Sequence, residues 1–372
     1  MSPAPALVDV EDLRTRVDAL LTAHVEGLVP ELAASGAGAA PLADELGRML
    51  GGGKRLRAAF CYWSWRAHGG APGSTEADVV LRVGAALELF QAAALFHDDV
   101  MDDSDTRRGR PSAHRRFAAL HADEQWSGDP RRFGESAAIL LGDLALVASE
   151  REFVHAVADL DPGRRARAHA VFERMRTEVT VGQYLDLLAQ VLPWGDDPAA
   201  DEARAREVIV AKTARYSVEN PLLLGAVLAG ADEVALESIR GYGLPLGEAF
   251  QLRDDLLGVF GDPEATGKPA GDDLREGKRT VLVARAMGRA VATGDAELAD
   301  ALHAGLGDRG LDDASCRALA DRIAGSGAVA EVEDLIAGLG DRAFAALAAA
   351  PLAEDGRDML VRLAHAAVDR RA

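Results

Sequence analysis

The segment that decides the fold reads His97-Asp98-Asp99-Val100-Met101-Asp102-Asp103, and it follows a long apolar stretch rich in alanine and leucine. Residues four apart share one face of a helix, so Asp98 and Asp102 are predicted to project the same way, while Asp99 is turned by about 100°. A second acidic pair, Asp254-Asp255, lies about 150 residues later and also follows an apolar stretch. A single acidic pair usually marks a solvated helix end, whereas two such clusters indicate carboxylates mounted on buried helices.

Paired acidic clusters of this kind predict a divalent metal site. Carboxylates crowded in one cavity repel each other unless a cation neutralises them, and hard oxygen ligands suit Mg²⁺. In proteins Mg²⁺ typically takes only one or two carboxylates and shares the rest of its coordination shell with substrate phosphates. The two clusters therefore predict metal ions that bridge to a diphosphate.

The lysines point to the same chemistry. Only four of the 41 lysines and arginines are lysines, namely Lys54, Lys212, Lys268 and Lys278. Each lies in a segment typical of an anion site. Lys54 follows the glycine run 51–53, and Lys212 stands beside a threonine. Lys268 follows a Thr-Gly pair, and Lys278 lies inside Gly-Lys-Arg-Thr. Lysine binds phosphate as a compact charge, whereas arginine binds it as a planar fork. The alternative is that the four lysines fell at these positions by chance.

A further basic segment, residues 106–111, follows the first acidic cluster, and Gly109 and Pro111 mark a turn in it. Basic runs are usually solvated surface, but this one lies within about ten residues of the predicted metal ligands. Arg107 and Arg108 are adjacent in the chain, so we expect them to point in different directions and to serve two different anions.

In the order of these motifs the chain resembles the trans-isoprenyl diphosphate synthases, the polyprenyl synthetase family, from Gly-Gly-Lys-Arg-Leu-Arg near residue 52 to Gly-Lys-Arg-Thr near residue 280. The resemblance implies an all-α fold, a single large helical bundle around a central active-site cavity, in one domain over residues 1–372. It also implies three Mg²⁺ per active site, which grip the diphosphate of an allylic substrate. That substrate (dimethylallyl, geranyl or farnesyl diphosphate) is condensed with isopentenyl diphosphate. A homodimer is expected on the same ground.

The resemblance also implies roles for the residues that match the family motifs. Metal ligands would be Asp98, Asp99, Asp102 and Asp254, supported by Asp255. Candidates for holding the allylic diphosphate are Arg107, Lys212 and Lys268, and those for isopentenyl diphosphate are Lys54, Arg57, Arg108 and Gln91. Thr213 and Gln251 would lie along the path of the developing allylic cation, and Lys278 is a further substrate-binding candidate. Segments 142–144 and 182–186 also resemble family motifs, with less direct roles.

Two positions depart from the family pattern. Gly258 stands where the second motif commonly carries a third aspartate, which leaves more of the metal binding to Asp254, with Asp262 as a candidate contributor. Gln91 stands where many members have a histidine, and glutamine can donate a hydrogen bond to phosphate but cannot carry a positive charge. Both departures bear on affinity and leave the expected type of reaction unchanged.

The composition agrees with a helical protein. Hydrophobic residues make up 48% of the chain and aromatic residues 5%, with alanine and leucine dominating the apolar stretches, which favours packed helices over a β-rich core. Helices are predicted over residues 10–30, 42–50, 54–68, 76–102, 134–159, 163–192, 200–229, 233–260 and 278–292, with a helical tail over 295–372 and a loop over 126–134.

Charge and patterning exclude several classes of protein. The formal net charge of −19 argues against nonspecific nucleic-acid binding, which needs a basic surface. The N-terminus lacks the basic and apolar regions of a signal peptide, and we expect no membrane span because no apolar run approaches about 20 residues. Cys61 and Cys316 are predicted to be buried thiols, so a reducing, cytoplasmic location is expected.

Product length follows from the residues beneath the first acidic cluster. Ala94 lies one turn below Asp98, with Ala93 beside it, and these small residues leave the upper part of a channel open. Phe90 lies about 12 Å below Asp98, from a rise of about 1.5 Å per residue, and its ring is interpreted as the floor of the channel, or else as an ordinary core aromatic. The predicted product is geranylgeranyl diphosphate, with twenty carbons.

Other products and other classes of protein stay open. A farnesyl or a longer polyprenyl diphosphate is the alternative product. A class I terpene cyclase also uses an Asp-Asp-x-x-Asp cluster on an all-α scaffold, but it needs no second diphosphate site, which Lys54, Arg57 and Arg108 indicate. A noncatalytic subunit of a prenyl synthase is the third possibility, and the loss of an aspartate at Gly258 points weakly in that direction.

Overall fold

The structure is a computed structural model that describes residues 7–195, 197–261 and 271–368. Its α-helices are α1 (Leu13–Ser35), α2 (Ala40–Leu50), α3 (Leu56–Ala67), α4 (Thr75–Met101), α5 (Ala113–Asp123), α6 (Pro130–Val157), α7 (Pro162–Val191), α8 (Pro198–Val208), α9 (Asn220–Leu228), α10 (Glu233–Phe260), α11 (Asp272–Glu276), α12 (Val281–Thr293), α13 (Ala296–Gly305), α14 (Asp313–Gly325), α15 (Ala328–Ala349) and α16 (Glu354–Val368). A π-helical segment, Ile209–Glu219, joins α8 to α9, and short 3₁₀ turns cover Leu7–Asp12 and Ala37–Ala39. The β structure of the described residues is one hairpin, β1 (Thr106–Arg107) and β2 (Arg110–Pro111). The predicted all-α fold is confirmed.

The chain forms two compact units. The first comprises Met1–Ala170, Pro221–Asp232 and Leu352–Leu363, and the second comprises Val171–Asn220, Glu233–Pro351 and Ala364–Ala372. The expectation of a single domain over residues 1–372 stays a prediction.

Helix α4 is the core helix of the first unit, and it packs against α1, α3 and α6. It begins at a capping residue, Ser74, whose hydroxyl accepts a hydrogen bond from the backbone N–H of Ala77 at 3.2 Å. Glu76 and Asp78 in its first turn interact favourably with the positive end of the helix dipole. The helix is therefore specified both by burial and by its N-terminal sequence, and its last turn carries the first acidic cluster.

The expectation that no apolar stretch is long enough to span a membrane was wrong for α4. Over Thr75–Met101 this helix has the length and hydropathy of a membrane span, but 72% of its most apolar window is buried inside the protein. A helix that is apolar on all sides is also what the centre of a large helical protein requires. Burial of α4 among α1, α3 and α6 accounts for the composition.

Glycines set how closely the helices approach in the first unit. A Cβ added to Gly225 of α9 would lie 2.9 Å from the backbone nitrogen of Trp65 and 2.9 Å from Ser64 Cβ. Ser64 donates a 2.7 Å hydrogen bond to the carbonyl of Leu222, which holds α9 against α3. The side chains of Tyr62, Trp63 and Trp65 are fully buried in the same region.

In the second unit α10 packs along α15 and along the π-helical segment. A Cβ on Gly247 would lie 2.6 Å from the Cα of Ala214, so α10 meets the π-helical segment backbone to backbone. Arg253 donates paired hydrogen bonds of 2.5 and 2.6 Å to Glu333 of α15, together with one of 3.0 Å to the carbonyl of Val368. These contacts fix the orientation of the helix that carries the second acidic cluster.

Several local predictions need correction. Helix α5 and the hairpin were missed, α1 continues to Ser35 beyond its predicted end at residue 30, and α6 begins at Pro130, inside the predicted loop. The helix expected over 200–229 is interrupted by the π-helical segment. Both cysteines are buried and free, as predicted, while a cytoplasmic location stays a prediction.

Candidate active site

The first acidic cluster lies at the C-terminal end of α4. Asp99 and Asp102 are buried, with 0% and 3% of their surface exposed, whereas the Asp98 side chain is 18% exposed. The backbone N–H of Asp102 donates a 2.8 Å hydrogen bond to the carbonyl of Asp98, so the helical geometry on which the spacing argument depends is present. Asp98 and Asp102 therefore share a face, as expected.

The guanidinium group of Arg107 lies against this cluster. Arg107 Nε donates a hydrogen bond of 2.8 Å to Asp99 Oδ1, and its Nη2 contacts both that oxygen and, at 3.4 Å, Asp98 Oδ2. The hairpin brings Arg107 back over the helix end because its two turn residues, Arg108 and Gly109, have φ values of +54° and +69°. Positive φ at both positions is the geometry of a tight two-residue hairpin turn.

His97 is also fixed by a glycine. Its Nε2 lies 3.1 Å from the carbonyl oxygen of Ile139 and 3.3 Å from Asp143 Oδ1. A Cβ on Gly142 would lie 2.7 Å from two carbons of the imidazole, so only glycine leaves room for the ring. The Gly142-Asp143 pair thus contacts His97, the residue that precedes Asp98.

An arginine-lined cavity of about 310 Å³ lies beside Arg107. It is lined by Arg48, Arg107, Arg108, Arg110 and Arg116, with Glu45, Met49, Gly51, Gly52, Phe96, Pro111, Ser112 and Ala113 completing the wall. Glu45 is its one carboxylate, and it is paired with two of the arginines. A cavity with this lining is suited to an anion.

Arg108 connects the hairpin to the glycine loop before α3. Its Nη1 donates hydrogen bonds of 2.9 Å to the carbonyl of Met49 and 3.1 Å to that of Gly51. Burial, followed by the nearby positive charge of Arg55, lowers the pKa of Arg108 below its ordinary value. Arg107 and Arg108 point in different directions, as predicted, and Arg108 lies within a concentrated positive potential.

The other residues expected at the isopentenyl diphosphate site lie on the same unit. Lys54 is exposed, Arg57 is half-buried in the first turn of α3, and Gln91 is half-buried on α4. The residue between the two cations, Arg55, was not singled out from the sequence and has a structural role. It is 4% exposed and forms ion pairs of 2.6 Å with Asp18 and 3.3 Å with Glu88, which anchor the loop.

In the second unit Lys212 and Thr213 lie on the π-helical segment. Lys212 Nζ donates a 2.6 Å hydrogen bond to Asp186 Oδ2 of α7. A Cβ on Gly182 would lie 2.6 Å from the Cα of Lys212, so the two backbones are in contact. Gly182 and Asp186 belong to the segment that resembled a family motif, and both contact Lys212.

The second acidic cluster is partly buried on α10. Asp254 is exposed and Asp255 is buried, and Gln251 Nε2 donates a 2.7 Å hydrogen bond to Asp255 Oδ1. Burial raises the pKa of Asp255 to about 8 against the effect of that hydrogen bond, and the negative charges of Asp273 and Asp254 act in the same direction as burial. Lys278 is held by Glu276 at 2.6 Å and by Asp273 at 3.5 Å. Asp273 is a member of this region that the sequence reasoning missed.

The donors present are carboxylate oxygens, the hard ligands that a divalent cation prefers. Asp98 and Asp102 share one helix face, whereas Asp254 is exposed and Asp255 is buried on α10, and the Arg107 guanidinium lies against Asp98 and Asp99. Across the described parts of the chain, no three His, Cys, Asp or Glu side chains are gathered closely enough to hold a metal ion. Lys268 and Asp262 lie outside the described residues.

Solved structures share this fold. A geranylgeranyl pyrophosphate synthase from Corynebacterium glutamicum, solved in complex with isoprenyl diphosphate and magnesium, matches with a TM-score of 0.90 and 39% sequence identity. The match covers 96% of this chain and 99% of that one. The all-α architecture is therefore that of the isoprenoid synthases.

Sequence comparison identifies the family. The profile of the polyprenyl synthetase family matches residues 41–313, and the chain belongs to that family. It is 34% identical over 241 residues to a short chain isoprenyl diphosphate synthase of Methanothermobacter thermautotrophicus, and the match spans 64% of each protein. It is also 32% identical over 267 residues to an octaprenyl diphosphate synthase of Haemophilus influenzae, across 71% of each. The predicted family, one of prenyltransferases, is confirmed. Because the relatives make products of different lengths, they do not fix the number of carbons in the product of this protein.

Proposed function

We propose that the protein is a Mg²⁺-dependent prenyltransferase that condenses isopentenyl diphosphate with an allylic diphosphate to make an all-trans polyprenyl diphosphate. The observation that carries this proposal is the arginine-lined cavity beside the acidic end of α4. It offers a place for one diphosphate next to the carboxylates expected to engage another. The resemblance to a synthase solved with isoprenyl diphosphate and magnesium supports the same reaction.

The two substrates would use different cations. Arg108, Lys54 and Arg57 are assigned to isopentenyl diphosphate, together with Gln91, because Arg108 lines the cavity and the other three lie on the same unit. Arg107, Lys212 and Lys268 are assigned to the allylic diphosphate, with Lys278 as a further cation. Three Mg²⁺ per site would be held by Asp98, Asp99 and Asp102 at the C-terminal end of α4 and by Asp254 and Asp255 on α10.

Catalysis is electrostatic in this scheme. Bound Mg²⁺ would stabilise the diphosphate as its bond to the allylic carbon breaks. Lys212, which Asp186 holds in place, would add fixed positive charge where the negative charge develops. Arg107 would add further positive charge once it leaves Asp98 and Asp99. Asp186 and Gly182 would contribute indirectly, because their contacts fix the position of Lys212.

The allylic cation must then be protected from water. We infer that Thr213 and Gln251 line its path, and that the double bond of isopentenyl diphosphate attacks it before a proton is lost. The released diphosphate is the expected proton acceptor. The product is longer by five carbons, and the residues below Asp98 decide how often the cycle repeats.

We propose geranylgeranyl diphosphate as the main product. Ala93 is buried beside the half-buried Ala94, and Phe90 is 4% exposed, so the small residues lie above a fixed aromatic ring on α4. A farnesyl or a longer polyprenyl diphosphate is the alternative.

Two other classes of protein are disfavoured by specific features. A class I terpene cyclase has no use for a second diphosphate cavity lined by arginines. A noncatalytic subunit has no need to keep Asp98, Asp99, Asp102 and Asp254 together with four lysines.

We also propose that the partner is a second copy of this chain. Four apolar side chains on α6 recur every seven residues and are exposed: Phe133 (37%), Leu140 (63%), Val147 (63%) and Val154 (40%). A seven-residue apolar repeat forms a continuous stripe that pairs with another helix. Val147→Glu should therefore lower the molecular mass of the protein in analytical ultracentrifugation. Val291→Glu is the control, because Val291 is 62% exposed on α12, and it should leave the mass unchanged. Equal masses for both variants would contradict this interface.

The test of the reaction is a product assay with purified protein, Mg²⁺, isopentenyl diphosphate and primers of five, ten or fifteen carbons. Elongation that stops at twenty carbons supports the proposal in full, and longer products keep the enzyme class but remove Phe90 as the floor. Release of diphosphate without elongation would indicate a cyclase. Absence of both would indicate a noncatalytic subunit.

A further inference from the structure

The arginine-lined cavity carries more positive charge than the binding of isopentenyl diphosphate accounts for. Of the four residues assigned to that substrate, only Arg108 lines the cavity. Three further arginines of the wall, Arg48, Arg110 and Arg116, have no part in the proposed reaction. Because the chain as a whole has a formal net charge of −19, this positive charge is a local property of the cavity, and a cleft lined by one sign of charge concentrates ions of the opposite sign.

The three unassigned arginines come from three elements of the first unit. Arg48 lies in the last turn of α2, Arg110 lies on β2, and Arg116 lies on α5. Ser112 and Ala113, where α5 begins, also line the cavity, and the first backbone N–H groups of a helix add partial positive charge. Donors from separate elements thus surround one continuous space.

A purely structural role for these arginines would be to neutralise Glu45. The Glu45 carboxylate accepts a hydrogen bond from Nε of Arg116 and lies 3.4 Å from Nε of Arg48. The Glu45 side chain is 9% exposed, whereas those of Arg48 and Arg116 are 50% and 36% exposed. One carboxylate leaves two guanidinium groups with a net positive charge. Arg110 is exposed and forms no ion pair within the described parts of the chain, so neutralisation does not account for it.

We propose that Arg48, Arg110 and Arg116 bind the far end of an anion with three or more linked phosphates, which occupies the cavity in competition with isopentenyl diphosphate. Arginine binds phosphate through a planar fork of donors, so a longer phosphate chain engages more guanidinium groups than a diphosphate does. Glu45 limits the affinity, because it repels the anion and holds two of the three arginines. The inference rests on the proposed function, since it adds a competing ligand to the substrate cavity of that reaction.

The test compares two phosphate chains of different length. Binding of inorganic pyrophosphate and of inorganic tripolyphosphate is measured by titration calorimetry in EDTA, so that no metal ion at the acidic clusters contributes. Arg110→Met and Arg116→Met each remove one guanidinium group, and Glu45→Gln removes the carboxylate while keeping its size. Arg82→Met is the matched control, because Arg82 lies outside the cavity on α4, is 47% exposed and pairs with Glu152 at 3.3 Å. Thermal unfolding confirms that each variant is folded.

We expect tripolyphosphate to bind the wild type at least tenfold more tightly than pyrophosphate does. The ratio of the two affinities should fall to within about threefold in Arg110→Met and in Arg116→Met, because a hydrogen bond to a charged group contributes about tenfold or more. Arg82→Met should keep the wild-type ratio. Glu45→Gln should strengthen tripolyphosphate binding several-fold, which a general loss of structure would not do.

Equal affinities of the wild type for the two anions would overturn the proposal. An unchanged ratio in both arginine variants would also overturn it, and Arg110→Met is decisive if Arg116→Met does not fold. A nucleoside triphosphate is titrated in parallel to distinguish two sources of the ligand. Tighter binding than that of tripolyphosphate would identify a nucleotide, and weaker binding an inorganic chain.

The elongation assay separates this inference from the proposed function. Tripolyphosphate should raise the apparent KM for isopentenyl diphosphate and leave kcat unchanged. Elongation by a wild type that shows no preference for tripolyphosphate would overturn the inference alone. A clear preference for tripolyphosphate without any elongation would instead contradict the proposed function.

Discussion

Replacing Gly182 by alanine should reduce activity by moving Lys212. The added Cβ would lie 2.6 Å from the Lys212 Cα and from the carbonyl carbon of Ala211. Carbon atoms pack at about 3.5–4.0 Å, so α7 and the π-helical segment must separate by about 1 Å. A misplacement of about 1 Å in a catalytic group costs roughly 100-fold in rate. Overpacking costs about 1–3 kcal/mol of stability, against a gain of about 1 kcal/mol from replacing glycine in a helix.

The matched control is Gly338→Ala. Gly338 lies on the exposed side of α15, and a Cβ there would have no atom within 4 Å, so the substitution should stabilise the protein by about 1 kcal/mol and leave activity unchanged. Steady-state kinetics with radiolabelled isopentenyl diphosphate and an allylic primer, together with thermal unfolding, measure both effects. The reasoning would be refuted if the Gly182→Ala variant kept its rate within twofold of the wild type and its melting temperature matched that of the control. The position of Lys212 would then not depend on contact with Gly182.

Four other substitutions probe the remaining parts of the site. Phe90→Ala should lengthen the product and Ala94→Phe should shorten it by at least one five-carbon unit, as measured by chromatography of the dephosphorylated alcohols. An unchanged product distribution in both variants would contradict the interpretation of these residues as the lining of a product channel. Arg108→Met should raise the KM for isopentenyl diphosphate at least tenfold, because hydrogen bonds from a charged group are worth about 1.5–3 kcal/mol each; an unchanged KM would place that substrate elsewhere. Asp255→Asn tests the pKa of about 8. Above pH 4 the unfolded chain has lost the proton of Asp255, whereas the folded protein still binds it. The free energy of unfolding of the wild type, measured in EDTA, should therefore fall between pH 5 and pH 8. The fall should exceed that of the Asp255→Asn variant by up to about 4 kcal/mol. Parallel stability profiles for the two proteins would contradict this assignment.

The parts of the site that follow from local spacing were predictable from the sequence. Asp98 and Asp102 share a face because a helix repeats every 3.6 residues, and the apolar sequence before them favoured burial of that helix. The divergence of Arg107 and Arg108 followed from their adjacency. The signal for the missed hairpin was present in Gly109, but the left-handed conformation at Arg108 is uncommon for a side chain of that size and has no clear sequence marker.

Other features depend on contacts between segments that are far apart in the chain. The π-helical segment at Ile209–Glu219 lies within an uninterrupted helical pattern in the sequence, and in the fold Gly182 and Gly247 from two other helices approach its backbone closely. Arg55 reads as one of three successive cations, but Asp18 and Glu88 make it an anchor. Asp273 lies fifteen residues after Gly258, and only the folded backbone brings its carboxylate to that glycine.

The two acidic clusters avoid charge repulsion in different ways, and the difference bears on how substrate and metal bind. In the first cluster Arg107 is hydrogen-bonded to Asp99 and contacts Asp98, so a divalent cation must compete with a guanidinium for the same oxygens. In the second cluster Asp255 has a pKa raised by burial and is hydrogen-bonded by Gln251, so under the proposed function it would give up a proton when a cation binds. Arg107 displaced from the carboxylates becomes available to the allylic diphosphate, which is the role assigned to it. Metal and diphosphate should therefore strengthen each other's binding at the first cluster by the same factor, since coupling between two binding events is reciprocal. At the second cluster metal binding should instead strengthen as the pH rises towards 8, because a larger fraction of Asp255 is then deprotonated.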